Sequence, residues 1–167
     1  MAAAFSVFAD LGNRHDPFLF WRVEDAYGRV LFEHIVQARP VLDPGTAYQV
    51  VDMMKAVVDT GSGRRVREHG FARPCAGKTG TSNNFMDAWF TGFTPALCTS
   101  VWIGYDRQAR LADKNGVGIT GGRGAAPIWA QFMRQATANE PERNFPVPEE
   151  IRFESIDPET GCRIDAR

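Results

Sequence analysis

The sequence predicts an α+β fold in which an antiparallel sheet is flanked by helices, and three observations carry that expectation. Residues Thr46 to Thr60 repeat apolar side chains at 3.6-residue spacing, three β-rich runs follow one another between Ala76 and Gly104, and a second amphipathic segment runs from about Pro127 to Ala136. A chain of 167 residues with 44% hydrophobic and 23% charged side chains can build a hydrophobic core without disulfides.

The elements follow in order. Met1-Ala-Ala-Ala-Phe-Ser-Val-Phe-Ala9 is apolar, lacks a basic leader and is stopped by Asp10, so it reads as the tail of a buried helix and not as a signal peptide. A chain that opens inside a core helix is expected to continue upstream. Leu11-Gly12-Asn13-Arg14 ends this helix, and Pro17 begins an extended stretch. Phe18 to Val23 and Arg29 to Val36 are rich in aromatic and β-branched residues and flank Asp25-Ala-Tyr-Gly28, which predicts a β-hairpin. Pro40 and Pro44 mark a linker. In the Thr46 helix, Ala47, Val50, Val51, Met54, Val57 and Val58 form one apolar face. Asp43 is placed to cap its N-terminus, Pro44 suits its first position, and Gly61 is expected to end it in the left-handed conformation. Gly61-Ser-Gly63 and the arginines after it read as a polar loop. Ala76 to Ser82, Ala88 to Phe93 and Cys98 to Gly104 read as strands separated by Asn83-Asn84 and Pro95, with Trp89, Phe90 and Phe93 filling the sheet core. A Gly-rich connection from Asn115 to Gly124 leads to the second helix, whose buried face is expected to carry Ile128, Trp129, Phe132 and Met133. Residues 1–140 thus form the body of the chain, and 141–167 a Pro-rich tail ending in a short hairpin.

Charge and cysteine usage exclude several functions. A net charge of −1 does not suit a nucleic-acid binder, and the one local cationic group, Arg64, Arg65, Arg67, Arg73 and Lys78 against Glu68, reads as a solvated loop. Cys75, Cys98 and Cys162 are far apart and odd in number, which speaks against a disulfide framework or a zinc site and leaves the redox compartment open. His15, His34 and His69 show no ligand spacing, so neither metal nor cofactor is expected. No run reaches the roughly 18 apolar residues of a membrane span.

One segment carries chemistry: Ala76-Gly-Lys-Thr-Gly-Thr-Ser82. Ala72-x-x-x-x-Gly77-Lys78-Thr79 matches a relaxed phosphate-loop pattern, but that loop must follow a buried strand and open a helix. Here Arg64-Arg-Val-Arg-Glu-His-Gly70 is polar, Pro74 stiffens the loop, and Gly80 and Asn83-Asn84 break any helix. The same residues contain the Lys-Thr-Gly triplet of penicillin-recognising serine acyltransferases. Gly77 and Gly80 would let a substrate strand approach the backbone, and Lys78 would favour a developing alkoxide or an anionic substrate. Thr81 could offer its hydroxyl to a carboxylate and its N–H to an oxyanion.

Lys78-Thr-Gly-Thr-Ser-Asn-Asn84, Asp87-Ala-Trp-Phe-Thr-Gly-Phe-Thr-Pro95, Val101-Trp-Ile-Gly-Tyr-Asp106 and Thr120-Gly-Gly122 with Ala125-Ala-Pro-Ile-Trp129 occur in this order. Together with Ala3 to Ala9, Arg22 to Asp25, Gly28 to Leu31 and Leu42 to Tyr48, they closely resemble the C-terminal part of the transpeptidase domain of bifunctional class A penicillin-binding proteins. The resemblance implies part of the penicillin-binding-protein and serine β-lactamase-like fold, with the Lys-Thr-Gly strand forming one edge of the catalytic cleft. It implies a D,D-transpeptidase fragment acting on peptidoglycan stem peptides, acylated by β-lactams, on the extracytoplasmic or periplasmic side of the inner membrane. It implies roles for Lys78 in supporting the nucleophile, for Thr81, Thr79 and Ser82 in substrate binding, and for Thr79 and Gly80 in holding the geometry.

The family acylates the serine of Ser-x-x-Lys, with Ser-x-Asn assisting. The residues three before Lys55, Lys78 and Lys114 are Asp52, Cys75 and Leu111, so Ser-x-x-Lys does not occur in this chain. Ser82-Asn83-Asn84 fits Ser-x-Asn but directly follows the Lys-Thr-Gly strand. Cys75-x-x-Lys78 places thiol and amine on opposite faces of a strand, so Cys75 reads as a structural thiol and Asp87 as a structural acid. The chain alone is therefore expected to be inactive, either a dead remnant or the complementing half of a cleft. A nucleotide-binding protein is the third reading.

Overall fold

The computed structural model describes residues 1–157 and 159–164. Its centre is a three-stranded antiparallel sheet made by β5 (Ala76–Thr81), β6 (Ala88–Phe93) and β7 (Cys98–Ile103), in spatial order β5-β6-β7. The register pairs Lys78 with Thr91 and Gly80 with Trp89, and across the next ladder Trp89 with Trp102 and Thr91 with Ser100. Two-residue alternation then divides the side chains between two faces. Ala76, Lys78, Gly80, Trp89, Thr91 and Phe93 share one face; Gly77, Thr79, Thr81, Ala88, Phe90 and Gly92 share the other.

Helices cover both faces. α1 (Ala2–Ala9) and α2 (Pro44–Asp59) enclose one cluster, where Tyr48, Val51 and Met54 meet Ala76 and Phe93. On the opposite face, α3 (Arg65–Glu68) and α4 (Ala125–Ala136) place Val66, Trp129 and Met133 against Phe90, with Val58 at the end of α2 joining them. Trp129 is the hub, standing edge-on to Phe71 at 5.3 Å and to Phe90 at 5.2 Å while its indole N–H donates to the Thr99 carbonyl.

Several boundaries differ from those expected. α1 forms, but only Val7 is buried, because it lies over the sheet and is not enclosed. α2 begins at Pro44, with the Asp43 carboxylate accepting from the Thr46 N–H at 3.0 Å. Gly61 does not take a left-handed conformation: Thr60 is the C-cap, and Gly61 is small because a Cβ would sit 2.8 Å from the Val57 Cα. The polar loop after Gly63 contains the helical turn α3, whose Val66 is fully buried. α4 starts two residues before Pro127; Ile128 and Phe132 face solvent, and Ala125, Ala126, Trp129, Ala130 and Met133 form its inner stripe. Trp89 is half-buried, its ring tilted against that of Trp102 at 6.0 Å outside the core. Asn83–Phe85 form a 3-10 turn with Asn84 at φ 59°, and β7 stops at Ile103, one residue before Gly104.

The hairpin is shorter than its apolar runs. β2 (Arg22–Glu24) and β3 (Val30–Glu33) make a separate two-stranded ribbon, with Phe18 to Trp21 outside it, and β1 (Asn13–His15) pairs with β4 (Ala38–Pro40) at its base. Beyond α4, Phe145 is buried against Phe93 at 5.7 Å, and Ile156 bridges Arg163; residues 158 and 165–167 of the expected tail lie outside the described residues.

Candidate active site

β5 is an edge strand, and its register decides what it offers. The Ser82 N–H donates to the Asp87 carbonyl at 3.0 Å, so Ser82 and Asp87 form a hydrogen-bonded pair. In an antiparallel ladder such pairs alternate, which turns the main-chain N–H and C=O groups of Gly77, Thr79 and Thr81 away from β6, and of these Gly77 is buried while Thr79 and Thr81 lie on the accessible part of the edge. The Lys78 ammonium donates to the Thr79 carbonyl at 3.0 Å, on that same edge. Gly77-Lys78-Thr79 is therefore extended strand bonded to β6, with no helix opening after it, and the phosphate-loop geometry is not present.

Neighbouring loops fix the side chains of this strand. The Thr81 hydroxyl accepts from the Gly121 N–H at 3.0 Å, and the Thr79 and Ser62 hydroxyls lie 2.7 Å apart. Gly121 must be small, since a Cβ there would collide with the Trp89 carbonyl and come within 2.6 Å of the Gly80 carbonyl. On the other face, Gly80 leaves Trp89 open beside Lys78. There Met1, Phe5, Lys78, Thr79, Gly80, Trp89 and Thr91 line an apolar recess of about 350 Å³. Larger recesses, of about 420 and 490 Å³, lie between α2 and the C-terminal tail and beside α1, away from this edge.

Lys78 and Thr81 are exposed, and Thr79 and Gly80 are half-buried along the same edge. Ser82 lies one residue past the strand, and its hydroxyl accepts from the Asp87 N–H at 2.7 Å, so it closes the turn. The Asp87 carboxylate accepts from the Trp102 indole N–H at 2.9 Å. Cys75 is 1% exposed in the Phe71 and Trp129 cluster, and burial pushes its thiol up to about 11 against the opposing pull of Arg67. It is a core thiol, on the face away from Lys78. Arg67 is also structural, donating to the Phe71 and Arg73 carbonyls and to Asp59. Among the described residues no three His, Cys, Asp or Glu side chains gather as metal ligands, and no helix is long and apolar enough to cross a membrane. Ser62 was invisible from sequence, because it meets Thr79 across 17 positions; the Gly121-Gly122 pair was the one local signal of a close approach.

An α+β sandwich that bares a Lys-Thr-Gly-Thr edge between helical layers defines a class, and comparison with known proteins agrees with it. Residues 1–134 match the penicillin-binding protein transpeptidase domain family. Penicillin-binding protein 1A of Aquifex aeolicus is 39% identical over 158 residues, covering 95% of this chain and 21% of the relative. Penicillin-binding protein 2D of Bacillus subtilis is 35% identical over 168 residues, covering 96% of this chain and 23% of that protein. The crystal structure of penicillin-binding protein 1A from Haemophilus influenzae has the same fold, with a TM-score of 0.83 at 22% identity over 98% of this chain and 30% of the other. The PonA1 protein from Mycobacterium tuberculosis in complex with penicillin V aligns at a TM-score of 0.77 and 29% identity, over 90% of this chain and 40% of that one. The chain belongs to the penicillin-binding protein transpeptidase family. It spans about a fifth of the length of the curated relatives it matches.

Proposed function

We propose that this chain supplies the Lys-Thr-Gly wall of a D,D-transpeptidase site, and that the serine nucleophile comes from residues outside these 167. The observation that carries the reading is the open β5 edge, where Thr79 and Thr81 direct main-chain groups outward beside the Lys78 ammonium. Such an edge can pair with an extended acyl donor as an added strand. The outward Thr81 N–H is placed to donate to a tetrahedral oxyanion, the Thr79 and Thr81 hydroxyls to hold a substrate carboxylate, and Lys78 to lower the cost of the serine alkoxide. Gly80 keeps the strand free of a side chain on the recess side. Ser82 contributes through the turn that ends β5. The substrate class is the peptidoglycan stem peptide, with β-lactams acylating the same site on the extracytoplasmic side of the membrane; full-length class A relatives support this assignment. Without Ser-x-x-Lys, the 167 residues alone form no acyl-enzyme.

The test is a chimera in which this chain replaces the matching 158 residues of the Aquifex aeolicus relative. Covalent labelling by fluorescent penicillin is expected in the chimera and absent from the chain alone. Lys78→Ala is expected to slow labelling about 100-fold or more, the usual scale for losing one electrostatic stabiliser. A folded chimera that does not label, or one indifferent to Lys78→Ala, rejects the proposal.

A further inference from the structure

The two threonines of the β5 edge are held differently by their neighbours. The donor to Thr81 Oγ1 is the Gly121 N–H, at 3.0 Å. A main-chain N–H can only donate, so one lone pair of Thr81 is occupied and its own proton is left to point elsewhere. At Thr79 the partner is the Ser62 hydroxyl, 2.7 Å away, and either oxygen can be the donor. An anion at the strand edge removes this ambiguity. A Thr79 hydroxyl that donated to Ser62 would turn lone pairs toward the anion, whereas a Thr79 that accepts from Ser62 turns its proton outward. The second arrangement makes a relay, Ser62 O–H to Thr79 Oγ1 and Thr79 O–H to the anion, in which each bond polarises the next.

The turn that carries Ser62 is held in place. The flanking Gly61 and Gly63 N–H groups donate back to the Ala56 and Val57 carbonyls at 3.0 and 2.9 Å, which pins the turn to the end of α2. Gly122 packs directly on the Ser62 carbonyl, leaving no room for a Cβ, while 3.7 Å would separate that Cβ from Thr79 Cγ2. Ser62 itself is exposed, so its hydroxyl adds little to the stability of the fold.

We propose that Ser62 is a positioning residue that orients the Thr79 hydroxyl as a donor to a carboxylate, making the β5 edge selective for anionic acyl donors. This rests on the function proposed above. In the chimera, Ser62→Ala is expected to slow acylation by a carboxylate-bearing penicillin about five- to tenfold, the usual worth of one hydrogen bond. The same variant should leave acylation by the penicillin methyl ester unchanged and the melting temperature unmoved, and Ser62→Thr should restore the rate. Thr79→Val should itself slow acylation by the carboxylate-bearing penicillin, with Ser62→Ala adding nothing to that loss. Equal slowing of acid and ester, no slowing of either, or independent losses at positions 62 and 79 would overturn the inference. If Lys78→Ala also leaves labelling intact, the functional reading falls and this inference with it; if Lys78→Ala abolishes labelling while Ser62→Ala is neutral, the inference alone falls.

Discussion

At Cys75 the burial of a single thiol makes stability depend on pH in the alkaline range. Burial raises its thiol to about 11 from the 9.0 of a free thiol. Unfolded chains therefore lose this proton before folded ones do, so the contribution is complete below about pH 9 and is lost as pH rises toward 11. Cys98, also pushed up to about 11 by burial, works over the same window. Two units correspond to roughly 2–3 kcal/mol for one fully buried thiol. Urea midpoints measured from pH 8 to 11 are expected to fall less for Cys75→Ala than for the parent chain; parallel curves would show that the thiol is not desolvated. Asp113 acts in the opposite direction, its carboxyl lowered by the Val117 and Asn115 N–H groups and by Arg123, so its support is present at neutral pH and lost on acidification through its depressed pKa.

At the scale of the element, α4 shows why periodicity alone assigned two residues to the wrong side. Ile128, Trp129, Phe132 and Met133 are all apolar, and their spacing fits one face, yet small Ala125, Ala126 and Ala130 define the stripe that approaches the sheet. Alanine carries little signal in a hydrophobicity pattern, but it is what lets Trp129 reach both Phe71 and Phe90. Trp129→Ala is expected to cost about 3–5 kcal/mol, whereas Ile128→Ala and Phe132→Ala should each stay within about 0.5 kcal/mol by chemical denaturation. Local chemistry was more legible at α2, where Asp43 caps as its type predicts; Asp43→Ala should cost about 1 kcal/mol in the same assay. The three sheet strands were readable because each is a short β-rich run between turn residues. The partners of the Lys-Thr-Gly-Thr segment were not. Ser62 reaches Thr79 and Gly121 reaches Thr81 across 17 and 40 positions, and such contacts leave no trace in local pattern.

For the whole molecule, the β2–β3 ribbon is the part least supported by the rest. Its cross-strand pairing puts Arg22 opposite Glu33 and the apolar Val23 opposite Phe32, before a register shift brings Val30 opposite Glu24. Tyr27 at its turn and Phe32 on β3 are 95% and 50% exposed, and a two-stranded ribbon is marginal in water on its own. The 167-residue chain is therefore expected to self-associate through this ribbon, and replacing Val23 and Phe32 with serine should return it to monomer in sedimentation velocity without changing its unfolding midpoint. Association unaffected by these changes would place the contact elsewhere.

The position of α1 has a consequence for how the chain is made. The first helix lies over β6 and β7, and the Cys98 thiol donates to the Ala2 carbonyl across 96 positions. A ribosome adding 5–20 residues per second takes roughly 5–20 s to cover that gap. During that time α1 lacks β6 and β7, though β1 and α2 are already made. The contacts of α1 with β1 and α2 can therefore form well before those with the central sheet, and the setting of α1 is complete only once β7 has emerged.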